Sequence, residues 1–463
     1  IAIAASPNKK LKVFALTMIN IMAVASLRTL PFSAEYGFSL VFYYAVAAIA
    51  FFIPIALISA ELATGWPSRG GAYVWVREAF GDRWAFLTIW MQWVFNLIWF
   101  PTILVFIVQT GLSIFLPEWA HHRGILLATV LSLFWGATAL NCFGMQISSA
   151  FSTISAIIGT LIPMTLIIAL AGLWLWQGEP SATPLTWEHF WPQSDQLQNM
   201  AFFATILFGL LGIEMSAVHA DDILAPGKTY PKAIFLSTFI ILASLTLSSL
   251  AIALVVPRGE LNVINGLTQA FTIMLDKQGL HWLLPLVGLM IILSGLGNVS
   301  TWIIGPTKGI LIAAQDGNLP ISWTHTNARK VPVTILTIQG IIFTGLCSVF
   351  VLMPSIESGY WVLTAMTAQM GLAYYAVLFI TSIRLRKKSP NQPRAFKVPG
   401  GKWSLPIIAS TGFICCIVAI GLGFLPPERM AVGTLWRYEA FLTCGILLIL
   451  LPPGMTILYK SEH

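Results

Sequence analysis

Phe202–Pro231 reads FFATILFGLLGIEMSAVHADDILAPGKTYP. It begins as an apolar membrane-type helix and then interrupts itself: Gly209 and Gly212 weaken the helical backbone. Glu214 adds a carboxylate at mid-bilayer depth, where a charge costs roughly 2.5–3.5 kcal/mol even on lenient insertion scales. Non-helical backbone is tolerated there only where protein buries it or where it lines a cavity. Backbone groups released by such a break can bind a small polar solute, so the stretch is the pattern expected of a solute carrier.

The rest of the chain is built for the same solvent. Hydrophobic residues make up 57% and charged residues 9% of its 463 positions, a balance that would give a soluble domain a grossly apolar surface. Apolar runs long enough to cross a bilayer recur twelve times, near 11–33, 39–62, 84–115, 124–142, 149–176, 199–224, 233–256, 281–314, 333–353, 359–383, 404–424 and 436–459. The first is too long and too polar for a cleaved signal segment, and no cleavage signature follows it. With the N-terminus placed in the cytoplasm, nineteen of the 25 lysines and arginines fall on that side, five fall outside, and Arg28 lies within the membrane. The positive-inside rule therefore favours N- and C-termini that are both cytoplasmic, in a multi-pass protein of a bacterial inner (plasma) membrane. The net charge of +7 reports this topology. Its basic residues are scattered over loops and form no nucleic-acid footprint.

Other chemistry is thinly represented. Cys142, Cys347, Cys415, Cys416 and Cys444 lie within or at the ends of apolar spans, without disulfide or zinc spacing. No metal or cofactor is expected. His121–His122 reads as a solvated loop pair, and His219 as a structural residue with titration as the alternative. Gly295-Leu-Gly-Asn-Val-Ser300 lacks the preceding strand of a nucleotide-binding fingerprint and means close helix packing. Neither an HExxH motif nor a nucleophile elbow occurs, so no catalytic residue and no enzyme activity are expected.

The first span is interrupted like the sixth, by Asn20, Ser26, Arg28, Thr29 and Pro31. Five spans separate the two, an odd number, so a second half would enter the membrane in the opposite sense. Inverted repeats with paired discontinuous helices and a midplane site are a known transporter plan. Half-helix N-termini offer N–H groups to a carboxylate, and half-helix C-termini offer carbonyls to an ammonium. An amino acid matches both.

Four ordered groups of residues carry a family resemblance. They are Glu61-Leu-Ala-Thr-Gly-Trp-Pro-Ser-Arg-Gly-Gly-Ala-Tyr73 with Arg77 and Gly81; Gly212-Ile-Glu214 with Asp221-Asp222 and Ala225-Pro-Gly-Lys-Thr-Tyr-Pro231; Trp302-Ile-Ile-Gly-Pro-Thr-Lys308 with Asp316-Gly-Asn-Leu-Pro320; and Arg394-Ala-Phe-Lys-Val-Pro-Gly-Gly401. Together they resemble the amino acid–polyamine–organocation (APC) superfamily of transporters. The closest likeness is to bacterial glutamate/γ-aminobutyrate (GABA) antiporters, particularly at Gly37–Phe42, Trp302–Pro306 and Lys330–Thr334.

The resemblance implies an all-α integral membrane protein of 12 transmembrane helices. These would form a 5+5 inverted-repeat (LeuT-like) core with discontinuous helices 1 and 6, plus two peripheral helices. The half-repeats would occupy residues 1–176 and 196–384, and the peripheral helices 403–459. It implies alternating-access exchange of glutamate-like or neutral amino acids, by a monomer or homodimer in the lipid bilayer, with a substrate and a counter-substrate as partners. Proton- or sodium-coupled symport, exchange of cationic amino acids or amines, and a non-transporting sensor are the alternatives. The chain ends at Lys460-Ser-Glu-His463, without the C-terminal plug those antiporters carry, so acid gating is expected to be absent or placed elsewhere unless the chain has been trimmed.

By the same resemblance the substrate-binding residues are Ala23, Val24, Ala25, Ser26, Arg28, Phe208, Gly209, Gly212, Asn298 and Trp302, with Trp93, Phe95 and Trp99 as further aromatic candidates. Glu214 is expected as a gating or proton-carrying carboxylate, or as one that holds the broken helix. Glu61, Arg69, Asp222 and Lys228 are expected as a cytoplasmic gate, with ordinary loop ion pairs as the alternative. Two residues depart from the antiporter pattern. Arg28 stands where those proteins have no arginine, and Asn298 stands where they have an acid. Both disfavour cationic cargo. Arg28 has two readings, direct substrate contact or an ion pair with Glu214 or Glu35, since an intramembrane arginine nearly always needs a partner.

Overall fold

The computed structural model describes residues 12–67, 70–142, 149–193, 200–222, 226–329, 331–426 and 434–459. Among these the protein is entirely helical, with no strand. Its helices are α1 Val13–Val24, α2 Leu30–Ala34, α3 Leu40–Ala47, α4 Ile53–Gly65, α5 Ala72–Phe80, α6 Asp82–Phe115, α7 Arg123–Cys142, α8 Ser149–Ile154, α9 Ile162–Trp176 and α10 Trp187–Phe190. They continue as α11 Ala201–Phe208, α12 Pro226–Val255, α13 Gly266–Lys277, α14 Leu284–Gln315, α15 Val333–Cys347, α16 Val349–Leu352, α17 Ile356–Lys388, α18 Ser404–Leu422 and α19 Leu435–Tyr459. Lipid offers no hydrogen-bond partner, so each apolar run must satisfy its own backbone by coiling.

Ten helical segments among the described residues are long and apolar enough to cross a membrane. In the region of the expected sixth span the apolar helical stretch is shorter, Ala201–Ala217, and only its first part, α11, is α-helical. The expected loop before span seven is corrected: α12 already starts at Pro226 and contains Pro231. Pro226 suits the first helical position, because the N–H it lacks has no intrahelical acceptor there, whereas Pro231, in the second turn, removes one bond from the helix. At the other end, α17 runs on to Lys388, beyond the expected 383. It is capped by Ser355, whose hydroxyl accepts the Ser358 N–H at 3.0 Å.

Burial sorts the helices. Windows of α6 and α17 are 83% buried, whereas that of α7 is 22% and that of α18 is 33%. Trp176, Phe239, Ile49 and Ile407 stand exposed, as lipid-facing side chains must. The inner helix α6 packs on α14 and α17; α14 also packs against the first interrupted segment and α17 against the sixth. Close approach needs small residues. At Gly159, in the π-turn between α8 and α9, an added Cβ would lie 2.6 Å from the Ser294 nitrogen and 2.9 Å from its Cα. Neither atom can move without shifting α14. Gly159→Val is therefore expected to destabilise by about 1–3 kcal/mol, seen as a lower melting midpoint in detergent; an unchanged midpoint would mean the contact is not kept.

Candidate functional site

α1 stops at Val24 because Ala25 (φ −71°, ψ 102°) and Ser26 (φ −114°, ψ 120°) are extended. The chain re-enters through a 3₁₀ turn, Leu27–Thr29, before α2. Thr29 Oγ1 donates to the Ser26 carbonyl at 2.9 Å and steadies the turn. In the sixth segment α11 stops at Phe208, Gly212 adopts φ +116°, and a 3₁₀ stretch, Ile213–Asp222, follows. The breaks meet: a Cβ on Gly212 would lie 2.9 Å from the Ala23 carbonyl oxygen.

With α6 and α14 the breaks enclose a cavity of about 30 Å³, room for roughly two water molecules. Its walls are Ala23, Val24, Ser26, Arg28 and Thr29 from the first break, and Phe208, Gly209 and Leu211 from the sixth. Phe95, Asn96 and Trp99 come from α6, and Asn298 and Trp302 from α14. Most of the expected substrate residues thus line one space; Ala25 and Gly212 are not among its walls. Trp93 points elsewhere and donates its indole N–H to Gln339 at 3.3 Å.

The backbone groups expected to await a solute are not all open. The Trp302 indole donates to the Ala23 carbonyl at 2.9 Å, and the Gly212 N–H donates to the Tyr375 hydroxyl at 2.5 Å. Unpaired backbone at this depth is costly, and side chains of α14 and α17 satisfy it.

The expected ion pair of Arg28 is corrected. The side chain is wholly buried, yet among the described residues it pairs with neither Glu214 nor Glu35. Its Nη1 donates to Thr364 Oγ1 at 3.1 Å and Tyr360 Oη at 3.3 Å. Its guanidinium carbon lies 5.2 Å from the Phe208 ring centroid and 5.5 Å from that of Tyr360. Glu214 is held farther along α17: the Tyr375 hydroxyl donates to Oε2 and the Tyr374 hydroxyl to Oε1 at 3.4 Å. Gln92 Nε2 in turn donates to Tyr374 at 3.1 Å. Tyr360 and Tyr374 are four helical turns apart, about 20 Å along the axis, so Arg28 and Glu214 sit at different depths.

Of the expected cytoplasmic cluster, the side chains of Glu61 and Lys228 are described. Glu61 is 2% exposed and is clasped by Arg386, through Nε at 2.8 Å and a second bond from Nη2. Arg394 Nε adds a contact at 3.5 Å, and the Val398 N–H donates at 2.8 Å. Arg394 also lies over Trp66, 5.0 Å from its centroid. Lys228 is exposed and forms no ion pair among the described residues. Arg69 and the side chains of Asp222 and His219 lie outside the described residues. Arg386 lies in the last turn of α17, and Arg394 arrives because the segment after α17 folds back over the end of α4: Gln392 reaches the Gly65 carbonyl at 2.7 Å, and the Phe396 N–H reaches Thr64 at 3.2 Å.

Two quoted motifs also meet, since Tyr73 donates to Asp316 at 2.7 Å with Arg77 3.5 Å from the same oxygen. Burial, and next the Asp316 bond, push the Tyr73 phenol up. Sequence reasoning passed over Asn96, Tyr360, Thr364, Tyr374 and Tyr375. Gln92 and Asn96, polar and four residues apart in an apolar helix, were a usable signal, because that spacing puts them on one face. The tyrosines offered none.

Two broken helices that meet at a buried cavity define a multi-pass membrane carrier for a small solute. The chain belongs to the amino acid permease family of the APC superfamily, whose family model matches residues 11–449. It is 48% identical over 458 residues to an uncharacterized transporter of Legionella pneumophila, covering 98% of this chain and 97% of that one. It is 30% identical to a glutamate/γ-aminobutyrate antiporter of Lactococcus lactis over 453 residues, 96% of this chain and 90% of that one. A probable agmatine/putrescine antiporter of the same species is 26% identical over 403 residues, 85% of this chain and 83% of that one.

Proposed function

We propose that the protein is a twelve-helix amino acid exchanger of a bacterial inner membrane, with both termini cytoplasmic, working by alternating access on glutamate-like or neutral amino acids. In this reading residues 1–176 and 196–384 are inverted halves and residues 403–459 are peripheral. The observation that carries it is the cavity where the two breaks meet, walled by Arg28, Ser26, Asn96 and Asn298 and, among the described residues, by no acid. Such a wall suits an anionic or zwitterionic solute and penalises a cationic one. Phe208, Trp99 and Trp302 are the aromatic shutters of the pathway in this scheme.

The test is counterflow. Liposomes loaded with unlabelled glutamate, γ-aminobutyrate, glutamine, arginine or agmatine are diluted into trace labelled glutamate. Accumulation is expected with the acidic or neutral compounds inside and not with arginine or agmatine. Uptake into empty liposomes driven by a proton or sodium gradient would replace exchange with symport, and exchange for agmatine would replace it with amine transport.

In the same scheme Glu214 latches α17 to the sixth break through Tyr374 and Tyr375. Glu214→Ala leaves both hydroxyls without their acceptor, and exchange is expected to slow roughly tenfold or more. A pH profile unchanged in Glu214→Gln would exclude proton transfer by this residue.

A further inference from the structure

We infer that the free edge of Arg28 is the docking point for a second carboxylate, so that the cargo is an amino acid with an acidic side chain. The inference rests on the cavity being the substrate site and narrows what that site takes.

A guanidinium carries five N–H donors. Nη1 is used by Tyr360 and Thr364. Nε and Nη2 are buried and have no hydrogen-bond partner among the described residues. These two nitrogens form a single edge of the group, the fork whose parallel N–H bonds match the two oxygens of a carboxylate. The Phe208 and Tyr360 rings hold the guanidinium, and neither supplies a counter-charge. An arginine serving only the fold would have these donors filled and an acid beside it. Among the described residues no aspartate or glutamate lines the cavity, and Glu214 is bonded to Tyr374 and Tyr375.

The same walls supply acceptors. Asn96 Oδ1 and Ser26 Oγ are likewise buried without partners, and they suit an ammonium group. Charge balance then selects the cargo. A neutral zwitterion brings its own cation and leaves Arg28 uncompensated in a low-dielectric site. An amino acid of net charge −1 makes the loaded site neutral, and a cationic one adds a second positive charge.

The test measures equilibrium binding of glutamate, glutamine and arginine to the purified full chain in detergent. The wild-type protein is expected to bind glutamate roughly 10- to 100-fold more tightly than its amide and arginine least. Arg28→Gln should erase the preference for the acid by weakening glutamate far more than glutamine, and Arg28→Lys should keep part of it. The glutamate-to-glutamine ratio of the wild-type protein decides the matter even where a variant fails to fold. Equal binding of acid and amide, or equal losses of both in a folded Arg28→Gln, overturns the inference alone. Binding of none of the three overturns the proposed function with it.

Discussion

Gly212→Val is expected to reduce exchange to background in liposomes, a loss of roughly 100-fold or more. Two independent penalties act there. The position has φ +116°, a conformation that a β-branched residue adopts only as an outlier. The added carbon would also meet Trp302 Cζ2 at 2.8 Å and the Ala23 carbonyl oxygen at 2.9 Å. Trp302 cannot retreat without giving up its bond to that same carbonyl. Strain of about 1–3 kcal/mol from the backbone and a similar amount from overpacking fall on the point where the two breaks touch. Gly209→Ala is the control: φ is −64°, and the nearest atom to its Cβ is the Thr29 hydroxyl at 3.1 Å. A milder loss is expected. Near-normal exchange by Gly212→Val would show that the breaks need not touch for transport.

Glu61→Ala is expected to have the largest effect on stability. It strips a nearly buried carboxylate from Arg386 and Arg394 and leaves the Val398 N–H without its acceptor. Breaking a buried pair by removing one partner costs about 3–5 kcal/mol, because the remaining charge stays desolvated. The Arg394 side chain is 1% exposed and cannot reach solvent without unpacking from Trp66. The readout is a large drop in melting midpoint in detergent, with Glu61→Gln intermediate because the amide oxygen still accepts a hydrogen bond. A Glu61→Ala curve lying on that of the wild-type protein would mean that water reaches both arginines.

Much of the site is legible in the sequence. The breaks at Ala23–Thr29 and Phe208–Gly212 are local anomalies in apolar runs, and glycine, serine and a stray charge announce them within a few residues. Arg28 was legible as an intramembrane cation, and its partner was not. Glutamates at 35 and 214 were the chemically obvious choices, but the groups that reach it are Tyr360 and Thr364, more than 330 positions away. Glu61 repeats the lesson: the cluster expected around it left out Arg386 and Arg394, which the fold brings to its carboxylate.

The sequence by itself determined the membrane class, the helical architecture and the two places where a helix must fail. Those follow from solvent: in lipid every backbone group must be satisfied within its own segment, so composition and local interruptions carry the message. Only the tertiary structure decided which side chains satisfy the broken segments and which edge of Arg28 is left without a partner. Those contacts join residues hundreds of positions apart at separations of 3 Å, where packing geometry rather than local pattern selects the neighbour.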